Sequence, residues 1–156
     1  ENVVQAVDVI QGKARVGQRV VVLGGRHLGM EVADYLAQQG KNVYLVTRDK
    51  LGGHRPVERS LYFALRDRLL EHGVHIYTFS PVQEITGDGV YINVNNEELL
   101  FLPASTVVMA AGAKSEARLE SEIQGLVPEV YTVGDAEEPR NALYAINEAA
   151  EVGRLV

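Results

Sequence analysis

Cysteine is absent from the 156 residues. That excludes disulfides and thiolate metal sites within the chain and fits a cytosolic protein. No apolar run approaches the roughly 20 residues needed to span a bilayer as a helix, and the opening residues show no secretory-signal pattern. Positive charge is scarce: 15 lysines and arginines against 21 acidic residues leave a net charge of −6. A nucleic-acid backbone selects for basic surfaces, so nucleic acid is not expected as a partner. Also missing are a nucleophile elbow and the G-x-x-x-x-G-K-[ST] phosphate loop. Repeats and low-complexity segments are absent too. What remains is a chain of ordinary composition, 46% hydrophobic and 23% charged, long enough for one domain with a real core.

The informative stretch is "VVVLGGRHLGMEVA", Val20 to Ala33. A continuous apolar run, Gln18 to Leu23, predicts a strand buried on both faces of a parallel sheet. A glycine cluster follows, then a helix with Leu28, Val32, Tyr35 and Leu36 on one face and Gly40 past its end. Asn42 to Thr47 predicts a second apolar strand. Together these make a βαβ unit with a right-handed crossover. After the loop "RDKLGGHRP", Pro56 and Val57 open a second helix lined by Leu61, Leu65 and Leu69 and ended by Gly73. His75 to Phe79 predicts a third strand.

The pattern then changes. "PVQEITGDGVYINVNNEELLFLP" alternates, with turns at "GDG" and at Asn95-Asn96, as an antiparallel meander does. Thr106 to Ala110 returns to a buried-strand pattern. Glu129 to Ala136 predicts one more short strand ending in a Gly-Asp turn. A last helix is expected from about Asn141, with a small-residue stripe at Ala142, Ala145, Ile146, Ala149, Ala150 and Gly153. The fold class is therefore α/β: a Rossmann-like parallel sheet with flanking helices and an inserted antiparallel β-meander.

The fingerprint G-x-G-x-x-G needs glycines at 24, 26 and 29. The first makes the strand-to-helix turn, the second admits the pyrophosphate, and the third lets helix and strand approach. Gly24 and Gly29 are present, with Gly25 beside them, but position 26 is arginine. Two outcomes stand open. The side chain obstructs the pyrophosphate, or the guanidinium turns outward and pairs with phosphate itself. The steric requirement leans towards impaired or altered binding. An acid about 20 residues further on would bind the adenosine ribose. Thr47 stands there, with Arg48 beside it. That suits a 2′-phosphate and favours NADPH over NADH, although a solvated surface arginine explains Arg48 equally well and Asp49 keeps NADH open. His27 sits in the turn, where contact with a phosphate and simple exposure are both possible. His72 and His75 have a metal-pair spacing, but Gly73 interrupts the helix between them, so no metal site is expected.

"DVIQGKARVGQRVVVLGG", "VVMAAGA" and "VYTVGDAEEPRNALYAINEA" carry a resemblance over essentially the whole chain. It resembles the C-terminal region of NADH:flavin oxidoreductases related to 2,4-dienoyl-CoA reductase and trimethylamine dehydrogenase. The resemblance implies an NAD(P)H-binding domain at about 14–110. Flanking segments 1–13 and 111–156 would belong to the FAD half of a longer parent; the opening residues also read as a cut from a longer chain. It implies that Gly112 lies in the turn back to the flavin domain. It implies also that Gly134 and Asp135 face FAD, with the aspartate accepting from a ribityl hydroxyl. Without it, Asp135 reads as a helix-capping aspartate. FMN and an iron–sulfur cluster are implied for the parent only. The implied function is presentation of nicotinamide to FAD, with no catalytic side chain in this chain, which by itself would be inactive. The implied partners are a dinucleotide and the rest of the parent flavoenzyme, with no membrane. The alternative is a vestigial or ADP-holding structural domain, favoured by Arg26 and tolerated in the family by trimethylamine dehydrogenase.

Overall fold

The computed structural model describes residues 2–53, 59–95 and 97–156. Contacts divide the chain into two units, one running to Gly112 and one from Ala113 to Val156.

The first unit is built on β2 (Arg19–Leu23), α2 (His27–Gln38) and β3 (Asn42–Val46), the predicted βαβ segment. It also contains β1 (Val3–Gln5), α1 (Ala6–Ile10), α3 (Arg59–Glu71), β4 (His75–Tyr77) and β8 (Thr106–Met109). Five strands pair in the order β1-β8-β2-β3-β4, every pair parallel. Thus β1, from the segment expected with the flavin half, joins this sheet, and α1 joins its core.

Alternation along β2 sends its side chains to two cores, as a strand's two-residue period requires. Val20 and Val22 face a cluster with Met30, Ala33 and Leu36 of α2 and Leu65 and Leu69 of α3. Val21 and Leu23 face a second cluster with Val90, Ile92 and Leu102. Those residues belong to the meander of β5 (Val82–Ile85), β6 (Gly89–Val94) and β7 (Glu98–Pro103), an antiparallel sheet in the order β5-β6-β7. The parallel sheet is thus covered by helices on one face and by the meander on the other.

Several expectations are corrected. On α2, Val32 and Leu36 are buried as expected, but Leu28 and Tyr35 are exposed, and Gly29, Met30, Ala33, Asp34 and Ala37 complete the buried face. Leu61 is also exposed, while Leu65 and Leu69 are buried. Pro56 and Val57 lie outside the described residues, as does Asn96. The third strand stops at Tyr77, because Phe79 takes φ +50°, which a strand cannot hold.

The second unit holds α4 (Arg118–Ile123), which the sequence reading missed, and α5 (Ala142–Val152). The strand expected over Glu129 to Ala136 is not formed. A 3₁₀ turn, Gly134–Ala136, stands at its end, and an isolated bridge joins Gln124 and Val127. None of the residues of α5 is buried, so its small-residue stripe does not serve a core within this unit.

Candidate functional site: a cleft at the strand ends

From β2 the chain moves through β3 and β4 to one side, whereas β8 pairs on the other side. Open α/β sheets bind ligands where the order reverses in this way, at the carboxyl ends of the strands. A cleft of about 450 Å³ lies there. Leu23 and Gly24 from the end of β2 line it, with Met109, Ala110 and Ala111 from the end of β8. Val46 to Asp49 line it from β3, and Pro81, Val82 and Ile85 give it an apolar side.

Each glycine at the turn is required by a close approach. Gly24 has φ +125°, and an added Cβ would fall 2.3 Å from the Ala110 carbonyl oxygen. Its N–H donates to the Val46 carbonyl at 2.8 Å, which carries the β2–β3 ladder into the turn. A Cβ on Gly25 would lie 2.7 Å from Thr47 Cβ, and one on Gly29 would lie 1.7 Å from the Gly24 carbonyl oxygen. The third fingerprint glycine therefore does the expected work of letting α2 sit against the end of β2. Arg26 is the residue before α2, in extended conformation, and gives no side-chain cap to the helix.

The Arg26 side chain is exposed and lines the cleft; it runs beside Gly53. Among the described residues its guanidinium has no hydrogen-bond or ion-pair partner. The loop that carries Gly53 is tied to the turn by the Gly52 N–H, which donates to the Gly25 carbonyl at 2.7 Å.

Thr47 and Arg48 both line the cleft. Thr47 is buried under Gly25, and its hydroxyl oxygen accepts the Asp49 N–H at 3.3 Å. The Arg48 side chain is 79% exposed and stands 3.7 Å from the Asp49 carboxylate. His27 is only half-buried, but its Nε2 is enclosed and has no hydrogen-bond partner among the described residues. Gly112, with φ +120°, closes the first unit and has open space around it.

The two remaining site residues stand in the second unit. Gly134, at φ +65°, donates its N–H to Glu148 Oε2 at 2.8 Å. Glu148 also holds the Arg140 guanidinium, which lies 4.8 Å from the centre of the Tyr144 ring. Asp135 is exposed, and its Oδ1 accepts the Arg140 N–H at 3.2 Å. It does not cap α5; Asn141 does, accepting from the Tyr144 N–H. Glu148 escaped the sequence reading because nothing local marks a helix carboxylate that reaches back 14 residues. Gly53 and the apolar residues of β5 escaped it because only folding brings them to the turn.

His72 is exposed but hydrogen-bonded. Its Nδ1 lies 3.1 Å from Asp34, a carboxylate with 6% of its side chain exposed. Gln38 of the same helix and Arg68 of α3 also donate to that carboxylate, and the Arg68 bond joins α2 to α3. Among the described residues, no cluster of three or more histidine, aspartate and glutamate side chains is placed to hold a metal, and no helix is long and apolar enough to cross a membrane.

A parallel sheet with a cleft and a glycine turn at its switch point defines a Rossmann-like, dinucleotide-type domain. Residues 2–149 match the family described as "Pyridine nucleotide-disulphide oxidoreductase", and the chain belongs to that family. It is 32% identical over 160 residues to a cinnamate reductase of Clostridium sporogenes, covering 100% of this chain and 24% of that protein. It is 30% identical to an NADH oxidase of Thermoanaerobacter brockii, covering 96% of this chain and 23% of the relative. A solved 2-naphthoyl-CoA reductase superposes with a TM-score of 0.86 at 27% identity, over 98% of this chain and 23% of the other. These relatives bear out the resemblance to the flavin-dependent NADH:flavin oxidoreductases. The chain spans about a quarter of the length of these relatives.

Proposed function

We propose that the chain is the NAD(P)H-binding part of a flavin-dependent oxidoreductase, presenting a nicotinamide to an FAD held mainly by sequence outside it. The observation that carries this reading is the cleft at the switch point, lined by Gly24 and Gly25 of the glycine turn. Bare backbone there fits a pyrophosphate, and the uncapped first amides of α2 offer it donors. Bound NAD(P)H would supply the hydride; the protein's share is position and electrostatics. Gly24, Gly25 and Gly29 shape the phosphate turn, and Arg48 beside Thr47 reads the adenosine end, with a preference for the 2′-phosphate of NADPH. Residues 111–156 are assigned to the flavin half: Gly112 to the return turn, and Gly134 with the exposed Asp135 carboxylate to the flavin.

Calorimetric titration of the full-length protein with NADPH and NADH tests the reading. Binding of either, tighter for NADPH, is expected. No heat at millimolar concentrations of both overturns it.

A second reading rests on Arg26 at the second fingerprint position: a domain that holds ADP, or nothing, without nicotinamide function. It predicts that NADPH and NADH both fail to reduce the flavin of the full-length protein in a stopped-flow assay, whether or not ADP binds.

A further inference from the structure

An arginine at the second fingerprint position poses a steric problem, and the loop after β3 carries a candidate solution. The Arg26 stem lies along Gly53. A Cβ built on Gly53 would come 3.2 Å from Arg26 Cγ, 3.4 Å from Nε and 3.7 Å from Cδ. The aliphatic part of Arg26 therefore runs over a bare patch of backbone. Gly53 and Gly52 both take positive φ, +74° and +82°, so the loop turns back on itself. The Gly52 N–H then anchors it to the Gly25 carbonyl. Loop and turn form one hydrogen-bonded unit with the arginine between them.

Arg26 and Gly53 share the wall of the cleft with Thr47, Arg48 and Asp49. Among the described residues, nothing neutralises the Arg26 guanidinium. Arg48, by contrast, has Asp49 at 3.7 Å. A planar five-donor cation without a partner among the described residues, on the wall of a cleft lined by glycines, is suited to a phosphate group.

We propose that the glycine missing from position 26 is compensated at position 53. Gly53 is a positioning residue that seats the Arg26 stem, and Arg26 is thereby a ligand for a phosphate of an adenosine nucleotide. The inference rests on the nucleotide-binding reading above. Two sources share the ligand chemistry, the 5′-diphosphate and a 2′-phosphate, and the choice of probes separates them.

The test is calorimetry on the full-length protein with ADP, adenosine 2′,5′-bisphosphate and AMP as the monophosphate reference. The variants are Arg26→Ala, Gly53→Asn and the double variant. Asparagine adds a Cβ at position 53 yet tolerates positive φ. Thermal midpoints of all variants are read in parallel to check folding. Arg26→Ala is expected to weaken ADP, or the bisphosphate, roughly tenfold or more, the scale of a lost hydrogen bond to a charged group. Loss confined to ADP assigns the diphosphate, and loss confined to the bisphosphate assigns the 2′-phosphate. Gly53→Asn is expected to weaken the same ligand in the natural background and to change nothing once Arg26 is alanine, a coupling that only a double-variant cycle reads.

Three results overturn the proposal. If Arg26→Ala tightens binding or leaves it unchanged while the natural protein binds, Arg26 is no ligand and only this inference falls. If Gly53→Asn weakens binding equally in the absence of Arg26, the loop acts independently of it. If the natural protein binds none of the three nucleotides and neither NADPH nor NADH, the function proposed above falls as well.

Discussion

Gly29, at the glycine turn, shows how much one Cβ decides. Gly29 stands 1.7 Å, in added-Cβ terms, from the Gly24 carbonyl. Gly29→Ala therefore forces α2 away from β2 and is expected to destabilise the protein by about 1–3 kcal/mol, as overpacking does, measured by thermal or urea denaturation. Arg48 is almost fully solvated apart from Asp49. Arg48→Glu is expected to reverse the NADPH preference by at least roughly tenfold, about 1.4 kcal/mol, read as the ratio of the two dissociation constants. Tyr131 donates its hydroxyl to Glu129 at 3.2 Å, and that acceptor, with the negative charge beside it, raises the phenol above its usual pKa of 10.0. Glu129→Gln is expected to lower the Tyr131 titration midpoint, followed by its ring resonances through alkaline pH; a midpoint that stays put would show that the bond does not persist in solution.

Elements were legible where their signal is local. The strand Gln18 to Leu23 was placed within one residue of β2, since a parallel strand covered on both faces must be apolar throughout. The meander was equally clear, because alternation and turn residues stand side by side in the chain. Half of the expected face of α2 was right: Val32 and Leu36 are buried. Leu28 and Tyr35, seven residues apart, share the helix's outer line and are exposed, while an aspartate is buried inside. Periodicity counts apolar residues, but Asp34 is buried because Arg68 of α3, His72 just after that helix and Gln38 of its own helix satisfy it. Removing Arg68 is expected to destabilise the α2–α3 junction by about 1–3 kcal/mol, the scale for a buried polar group losing a partner; calorimetric unfolding of Arg68→Ala measures it. The strand expected over Glu129 to Ala136 failed for another reason: "VYTV" has strand composition, but a strand exists only with a neighbour to bond.

At the scale of the molecule, the two cores divide the labour. Helices α1 to α3 cover one face of the parallel sheet, and the meander covers the other and lends Val82 and Ile85 to the cleft. The sheet is held by residues far apart in sequence, so Leu69→Ala, at a fully buried position of α3, is expected to lower stability by about 2–5 kcal/mol. Its effect on nucleotide affinity in the folded protein is expected to be small, because Leu69 is not a lining residue. If affinity falls together with stability, the helical core and the cleft are more tightly coupled than their separate clusters imply.

The sequence by itself determined the α/β class, the βαβ unit, the meander and the position of the glycine turn, because each is written in residues that are neighbours along the chain. The family resemblance was legible for the same reason. Only the tertiary structure decided the rest: that β8 pairs beside β2 and makes a switch point, that β5 walls the cleft, and that Gly53 lies under Arg26. Those contacts join segments tens of residues apart, and no local pattern encodes which loop will meet which turn. The arginine in the fingerprint looked like a defect in one dimension. In three dimensions it has a bare glycine to lie against.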